Sequence, residues 1–250
     1  MDYEALSATL QAALKLRQPP VAVCLTDAVP EGVPLHAGRA PAGCVFWQEA
    51  ARGAFATVAA DHELCAVGVY THNLAQPSAA YEGELTSVLK VMAGMEYVRE
   101  EDVARIPVMK RPVSHVVYAP LAQTPLPPDV VLVFADSRQA LVLTEAIQQV
   151  EPAVPPALGR PACAVVPQAV NSGRAALSLG CCGARAYLDV FGDDVGLWAL
   201  PGPTIDQYAR RVAVLAQAND VLGRFHRLRR ADVEAGARPT YAESLTRLQS

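Results

Sequence analysis

The chain has 250 residues, of which 52% are hydrophobic and 18% charged, and its net charge is −4. This composition predicts a globular protein with a sizeable core and excludes a disordered chain. The negative net charge gives no electrostatic support for nucleic-acid binding, because that function needs a basic face. No apolar run approaches the roughly 20 residues of a membrane span, and the acidic N-terminus lacks a signal-peptide pattern. We therefore expect a cytoplasmic protein with reduced cysteines and with neither a nucleic-acid nor a membrane partner.

The first part of the chain predicts a helix, a strand and a loop. Apolar spacing predicts an amphipathic helix over Tyr3 to Leu16, ended by a proline pair. The apolar run Val21 to Leu25 predicts a buried strand in which Cys24 is a core residue. The proline- and glycine-containing residues 27–43 predict a loop that leads to Cys44.

The polar middle of the chain, residues 77–112, predicts a lid over the functional site. It contains a predicted helix over Glu84 to Met92 and the methionines Met92, Met95 and Met109. Methionine adapts to irregular surfaces, so these side chains either fill the core or line a pocket.

Strands and helices alternate along the remainder. The predicted strands of the whole chain are residues 21–25, 54–59, 115–120, 130–134, 174–179 and 195–200. Asp136 caps a predicted helix that continues through Gln149, and a long helix is predicted over Ile205 to Phe225. This pattern predicts an α/β (or α+β) fold, a mixed sheet with flanking helices.

The expected organisation is one globular domain, residues 1–230, followed by a loosely attached tail, residues 231–250. Three prolines, Pro152, Pro155 and Pro156, are expected to interrupt the chain before Cys163.

Two segments, residues 44–70 and 163–187, follow the same order of features. Each begins with a cysteine, continues through a helix-like stretch, a glycine and a strand, and reaches a second cysteine before a tyrosine. The order predicts two pseudo-symmetric halves, each carrying a Cys-helix-Gly-strand-Cys unit. The alternative is chance similarity in a chain rich in alanine and valine.

The second of these segments contains the vicinal pair Cys181-Cys182, which lies between Gly180 and Gly183 at the end of a predicted strand. Adjacent cysteines do not form an unstrained disulfide with each other, because the bridge needs a larger Cα separation. The pair therefore indicates thiols presented to a ligand.

Four separate cysteines are the predicted metal ligands: Cys44, Cys65, Cys163 and Cys181, with Cys182 as the alternate for Cys181. None lies in a Cys-x-x-Cys pair, which excludes zinc-ribbon and bacterial-ferredoxin spacing. Buried thiolates are costly unless a cation or cluster compensates. We predict a 4Fe–4S cluster, with zinc as the alternative metal.

Three further residues have two interpretations each. His62 and His72 are interpreted as solvated loop histidines, with metal ligation as the alternative. Arg185 is predicted to bind an anionic ligand or to offset a negatively charged cluster, and a surface salt bridge is the alternative.

Several segments together resemble an uncharacterised family called domain of unknown function 169. They are Pro20-Val-Ala-Val, Cys44 with its following helix, Cys65, Pro128-Asp-Val-Val-Leu-Val-Phe, Pro161-Ala-Cys163-Ala and Gly180-Cys-Cys-Gly-Ala-Arg185. The similarity covers about residues 10 to 205. It implies no activity, but the Gly-Cys-x-Gly-x-Arg pattern of the family makes Cys181 the motif cysteine.

The leading functional hypothesis is a cytoplasmic iron–sulfur protein. The two activities considered for it are a redox reaction and the transformation of a small molecule. Its expected partners are a small-molecule ligand or a redox partner protein. The alternatives are a zinc-stabilised or metal-free ligand-binding module, and a thiol redox protein that uses Cys181 and Cys182.

Overall fold

The structure is a computed structural model that describes residues 1–151, 157–158 and 161–249. Its first half contains α1 (Tyr3–Leu14), β1 (Val21–Thr26), α2 (Val45–Glu49), β2 (Phe55–Thr57), α3 (Ala59–His62), α4 (Ala66–His72), α5 (Tyr81–Gly94), α6 (Glu100–Val103) and β3 (His115–Pro120). Its second half contains β4 (Val130–Asp136), α7 (Ser137–Val150), β5 (Ala157–Leu158), α8 (Val165–Ser172), β6 (Ala176–Ser178), α9 (Cys182–Tyr187), β7 (Val195–Pro201), α10 (Ile205–Glu234) and α11 (Tyr241–Gln249). The predicted interruption at Pro152, Pro155 and Pro156 lies outside the described residues.

A seven-stranded sheet in the order β2-β3-β1-β4-β7-β6-β5 forms the centre of the molecule. Every neighbouring pair is antiparallel except β5 and β6, which are parallel. The predicted mixed sheet with flanking helices is therefore confirmed.

Helices cover both faces of this sheet. Successive residues of a strand point to opposite faces, and in β4 Val131 and Val133 pack in a core with residues of α1, α7 and α10. Val130 and Leu132 pack in the other core, which contains Trp47 of α2 and residues next to α8 and α9. The cysteine-bearing segments all belong to this second face.

The sheet order tests the predicted pair of halves only in part. Beyond β1 lie the two strands β3 and β2, and beyond β4 lie the three strands β7, β6 and β5. In both segments with the shared cysteine order, a helix is followed by a short strand and another helix, but α3 has no counterpart between β6 and α9. Superposition of the halves by a twofold rotation stays a prediction.

Several predicted boundaries differ from the structure. The strand predicted over residues 54–59 ends at Thr57, because the Asp61 carboxylate accepts the Val58 N–H at 2.8 Å and α3 begins there. The strand predicted over residues 174–179 is shorter, Ala176–Ser178. The helix predicted over Glu84 to Met92 is longer, Tyr81–Gly94.

The largest difference lies at the C-terminal end, where α10 continues past Phe225 to Glu234. The predicted domain boundary at residue 230 falls inside this helix, which no glycine or proline interrupts between Phe225 and its end. The predicted tail contains α11, whose Tyr241 ring stacks on Phe225 with centroids 5.9 Å apart. Although α10 has 30 residues, no helix in the described part of the chain is long and apolar enough to cross a membrane.

Candidate functional site

A cavity of about 960 Å³ lies on the cysteine-bearing side of the sheet. Its walls come from the loop before α2, from α4 and the turn before it, from the turns that precede α8 and α9, and from the segment that contains α5 and α6. Volumes of this size are typical of small-molecule sites.

All five predicted cysteines line this cavity. Cys44, Cys65 and Cys181 each immediately precede a short helix, and Cys163 lies in the 3₁₀ turn Ala162–Ala164 before α8. Cys182 is the first residue of α9 and is exposed, whereas the other four are buried or half-buried. Cys24 is buried in a separate cluster with Ala56 and Val117, as predicted for a core residue.

The cysteines around the cavity influence the protonation of Cys44 and Cys163. Burial raises the pKa of Cys44 to about 12, and Cys65 and Cys181 contribute to the same shift. Burial also raises the pKa of Cys163, with added contributions from Cys65, Cys181 and Cys44. These thiols therefore stay protonated at neutral pH unless a positive charge enters the site.

The four predicted ligand cysteines all border the same cavity. Among the described residues, no three His, Cys, Asp or Glu side chains form a group that could hold a single metal ion. The Thr71 hydroxyl lies 3.3 Å from Cys163 Sγ and lowers the pKa of that thiol by donating a hydrogen bond.

Tyr118 of β3 is a site residue that sequence reasoning missed. It is fully buried, and its hydroxyl has no hydrogen-bond partner in the described part of the chain. Tyr118 packs in the same core cluster as Cys44, against which Cys65 and Cys163 also pack. Burial raises the pKa of Tyr118, and so do these three cysteines. The alternation of β3, which sets Tyr118 on the same face as Val116, is the sequence signal that could have found it.

The interpretation of His62 and His72 as solvated loop histidines is wrong, because only 1% and 2% of their surfaces are exposed. Both lie in short helices that pack on each other; α3 also contacts β2, and α4 contacts α5 and α8. Burial lowers the pKa of His62 and lowers that of His72 to about 4, so both rings are neutral.

Hydrogen bonds assign the tautomer of each ring. His72 Nδ1 lies 3.0 Å from the Gly68 carbonyl, which can only accept, so Nδ1 carries the proton and Nε2 is a bare acceptor. The Thr57 hydroxyl donates to the Val116 carbonyl and therefore accepts from His62 Nε2, at 2.9 Å. Neither remaining nitrogen, His62 Nδ1 or His72 Nε2, has a partner among the described residues.

Arg185 makes contacts within its own turn and is absent from the described residues that line the cavity. Its guanidinium donates to the carbonyls of Gly192, at 2.6 Å, and of Leu179, and lies 5.1 Å from the centre of the Phe191 ring. Asp193 lies 3.7 Å away. These contacts stabilise the turn that contains Cys181. They do not support the predicted role of Arg185 in binding an anion.

Residues of the predicted lid form one wall of the cavity. Leu85, Val88, Leu89 and Met92 lie along one side of α5, and Val103 and Ile106 extend this wall. Met95 is exposed and Met109 is buried in the core, so only one of the three clustered methionines reaches the cavity. The charged lining residues are Glu63, Glu84 and Asp102, and no Lys or Arg of the described chain is among them.

The comparisons with known proteins agree with the sequence resemblance. No curated protein and no solved structure matches the chain. A family model for domain of unknown function 169, described as uncharacterised ArCR, matches residues 9–211. This match covers the sheet, the cysteine-bearing segments and the start of α10. The chain therefore belongs to the uncharacterised family called domain of unknown function 169.

Proposed function

We propose that the protein holds a 4Fe–4S cluster on Cys44, Cys65, Cys163 and Cys181 and binds a small molecule beside it. One observation carries the proposal: four cysteines from four separate segments interact around one cavity. Cysteine thiolates are the standard ligands of such clusters. The same arrangement favours Cys181 over the exposed Cys182, because Cys181 and not Cys182 influences Cys44 and Cys163.

The protonation of the site fits a metal centre. Burial and mutual repulsion oppose the thiolate forms of Cys44 and Cys163, and an iron–sulfur core supplies the positive charge that reverses both effects. The cysteine ligands of a cluster are also spread around it, whereas the ligands of a single ion all lie within bonding distance of that ion.

One neutral donor next to a sulfur atom supports the same assignment, because Thr71 donates to Cys163. Hydrogen bonds to sulfur adjust the reduction potential of such clusters. In this proposed function, the protein works in a reducing compartment such as the cytoplasm. It exchanges single electrons with a redox partner protein.

Anaerobic purification followed by iron, sulfide and zinc analysis tests the proposal. The wild-type protein should contain iron and sulfide in equal amounts and show the broad visible absorption of thiolate-bound iron. Separate serine substitutions of Cys44, Cys65, Cys163 and Cys181 should each remove most of the iron. Cys182→Ser should retain it, and so should Cys24→Ser, a matched control at a buried cysteine outside the cavity.

The remaining outcomes identify the alternatives. Zinc without sulfide, lost in the same four variants, indicates a zinc-stabilised module. Intact thiols without any metal indicate a metal-free binding module or a thiol redox protein. Loss of iron in Cys182→Ser but not in Cys181→Ser corrects the fourth ligand and leaves the site in place.

A further inference from the structure

Where α4 packs on α5, the lining of the cavity combines aromatic rings with carboxylates. The four residues are Tyr70 of α4, Tyr81 and Glu84 of α5, and Glu63, which follows α3. The Ser78 N–H donates to Glu63 Oε1 at 2.9 Å, and the Ser78 carbonyl accepts from the Tyr81 N–H at 3.1 Å. Glu63 therefore lies next to the first turn of α5. Glu84 lies three residues after Tyr81, on the same side of that helix.

These four residues keep accessible surface, so a molecule in the cavity can reach them. Tyr70, Tyr81 and Glu63 are half-buried, and Glu84 is exposed. Tyr81 also packs against the core on the cysteine-bearing face of the sheet. Binding at this end of the cavity therefore needs no rearrangement of the core.

The charge at this end is negative. In the described part of the chain, neither Glu63 nor Glu84 forms an ion pair. The third carboxylate of the lining, Asp102, is instead matched by Arg99 at 2.8 Å and by Arg105 at 3.5 Å. The positive end of the α5 dipole is equivalent to about half a charge, so the two glutamates outweigh it.

Aromatic rings beside carboxylates favour an organic cation. An ammonium group within about 6 Å of a tyrosine ring centre is attracted by the ring quadrupole, and it is attracted by carboxylates as well. A hydroxyl group gains neither attraction in full, and an anion is repelled. The same side of α5 continues with apolar residues that can cover the rest of such a molecule: Leu85, Val88, Leu89 and Met92.

We propose that the cavity binds an organic cation, an ammonium group that carries an apolar body. The carboxylates of Glu63 and Glu84 and the rings of Tyr70 and Tyr81 bind the ammonium group, and the apolar body lies along α5. The inference rests on the small-molecule role in the proposed function and does not need its cluster.

Three naphthalene probes of similar size test the charge that the cavity prefers: 2-naphthylmethylamine, 2-naphthylmethanol and 2-naphthoate. The amine is protonated at neutral pH, as a lysine side chain is. Equilibrium dialysis against the anaerobically purified full chain, with the probe measured by fluorescence, gives each affinity. The wild type should bind the amine about tenfold more tightly than the alcohol, and 2-naphthoate most weakly. Added salt should reduce the preference for the amine, because the carboxylates are not fully buried.

Glutamine substitutions locate the ammonium group. Glu63→Gln and Glu84→Gln should each reduce the preference for the amine by about two- to threefold, as expected for partly exposed charges. Glu82→Gln is the matched control, because Glu82 is exposed in the same turn of α5 but does not line the cavity. It should leave the preference unchanged.

The ring of Tyr81 is tested in the same way. Tyr81→Leu should reduce the preference for the amine, whereas Tyr81→Phe should retain it, because phenylalanine keeps the ring face. If circular dichroism shows that Tyr81→Leu does not fold, the wild-type ratio and the glutamine variants decide the matter.

Three results would each overturn the proposal. The first is equal wild-type affinity for the amine and the alcohol, and the second is tighter binding of 2-naphthoate. The third is an equal loss of preference in Glu82→Gln and Glu84→Gln, which would show a general attraction to the acidic surface.

Iron and sulfide are measured in the same samples, so the two proposals fail separately. Preference for the amine without iron retains this inference and removes the cluster. Iron without preference for the amine retains the cluster and removes this inference.

Discussion

At the scale of single residues, the neutral buried histidines connect the stability of the protein to pH. Burial is the main cause of the low pKa of His72, about 4, which the hydrogen bond to Gly68 raises only in part. An unfolded histidine has a pKa near 6.5, so below that pH the unfolded chain binds the additional proton. His62 affects the pH dependence of stability in the same direction, because its pKa is also lowered. Burial is the main cause, and the neighbouring His72 and His36 add to it.

We therefore expect the free energy of unfolding to decrease as the pH falls from about 6.5 to about 4. The contribution of His72 should be about 3 kcal/mol, at about 1.4 kcal/mol per pH unit. Urea unfolding across this range measures it. His72→Gln should flatten the dependence, and His226→Gln, at an exposed histidine, should leave it unchanged. An unchanged slope in His72→Gln would contradict the assignment.

At the scale of elements, the turn between β6 and α9 decides where Cys181 lies. Gly180 has φ = +91°, a conformation that L residues rarely adopt, and a Cβ there would lie 2.1 Å from the Phe191 ring. Gly183 lies two residues after Cys181 and inside α9, and a Cβ added there would meet open space, with no contact within 4 Å. The two glycines of the predicted cysteine motif thus have different physical roles.

Gly180→Ala should lower the free energy of unfolding by about 2 kcal/mol or more and reduce the iron content, because Cys181 moves. Gly183→Ala is the matched control and should stabilise the chain by about 0.5 to 1 kcal/mol, since alanine favours a helix. Chemical denaturation and iron analysis of both variants measure these effects. Equal behaviour of the two variants would show that the turn does not position the cysteine.

At the scale of the whole molecule, the C-terminal helix α11 packs on the distal part of α10, away from the sheet. Tyr241 stacks on Phe225 and lies under Arg229, and Arg247 binds Asp232 at 2.7 Å. None of these residues lines the cavity, and the family match ends before them, at residue 211.

A chain that ends at Gly236 should therefore keep its iron. Its free energy of unfolding should fall by no more than about 3 kcal/mol, the value of exposing one buried aromatic side chain such as Phe225. Thermal unfolding and iron content test this expectation, with Tyr241→Ala as the smaller change. Loss of iron on truncation would show that α11 supports the site after all.

The sequence by itself determined most elements, because strand and helix patterns depend on neighbouring residues. The strand His115–Pro120 has the predicted bounds, and the helix after Asp136 begins at the predicted cap. The positions of Cys44 and Cys163 before helices also follow from local pattern. The family resemblance, carried by short motifs, is confirmed over residues 9–211.

Only the tertiary structure decided which side chains share the cavity, because burial depends on residues that are remote in the chain. His72 is the last residue of the short helix α4, and the packing of α4 among α3, α5 and α8 buries it. Tyr118 lies in an apolar strand, and only the fold brings its ring into one core cluster with Cys44, Cys65 and Cys163. The anion-binding role of Arg185 stays a prediction, and the fold adds that its guanidinium donates to a nearby carbonyl and lies beside the Phe191 ring.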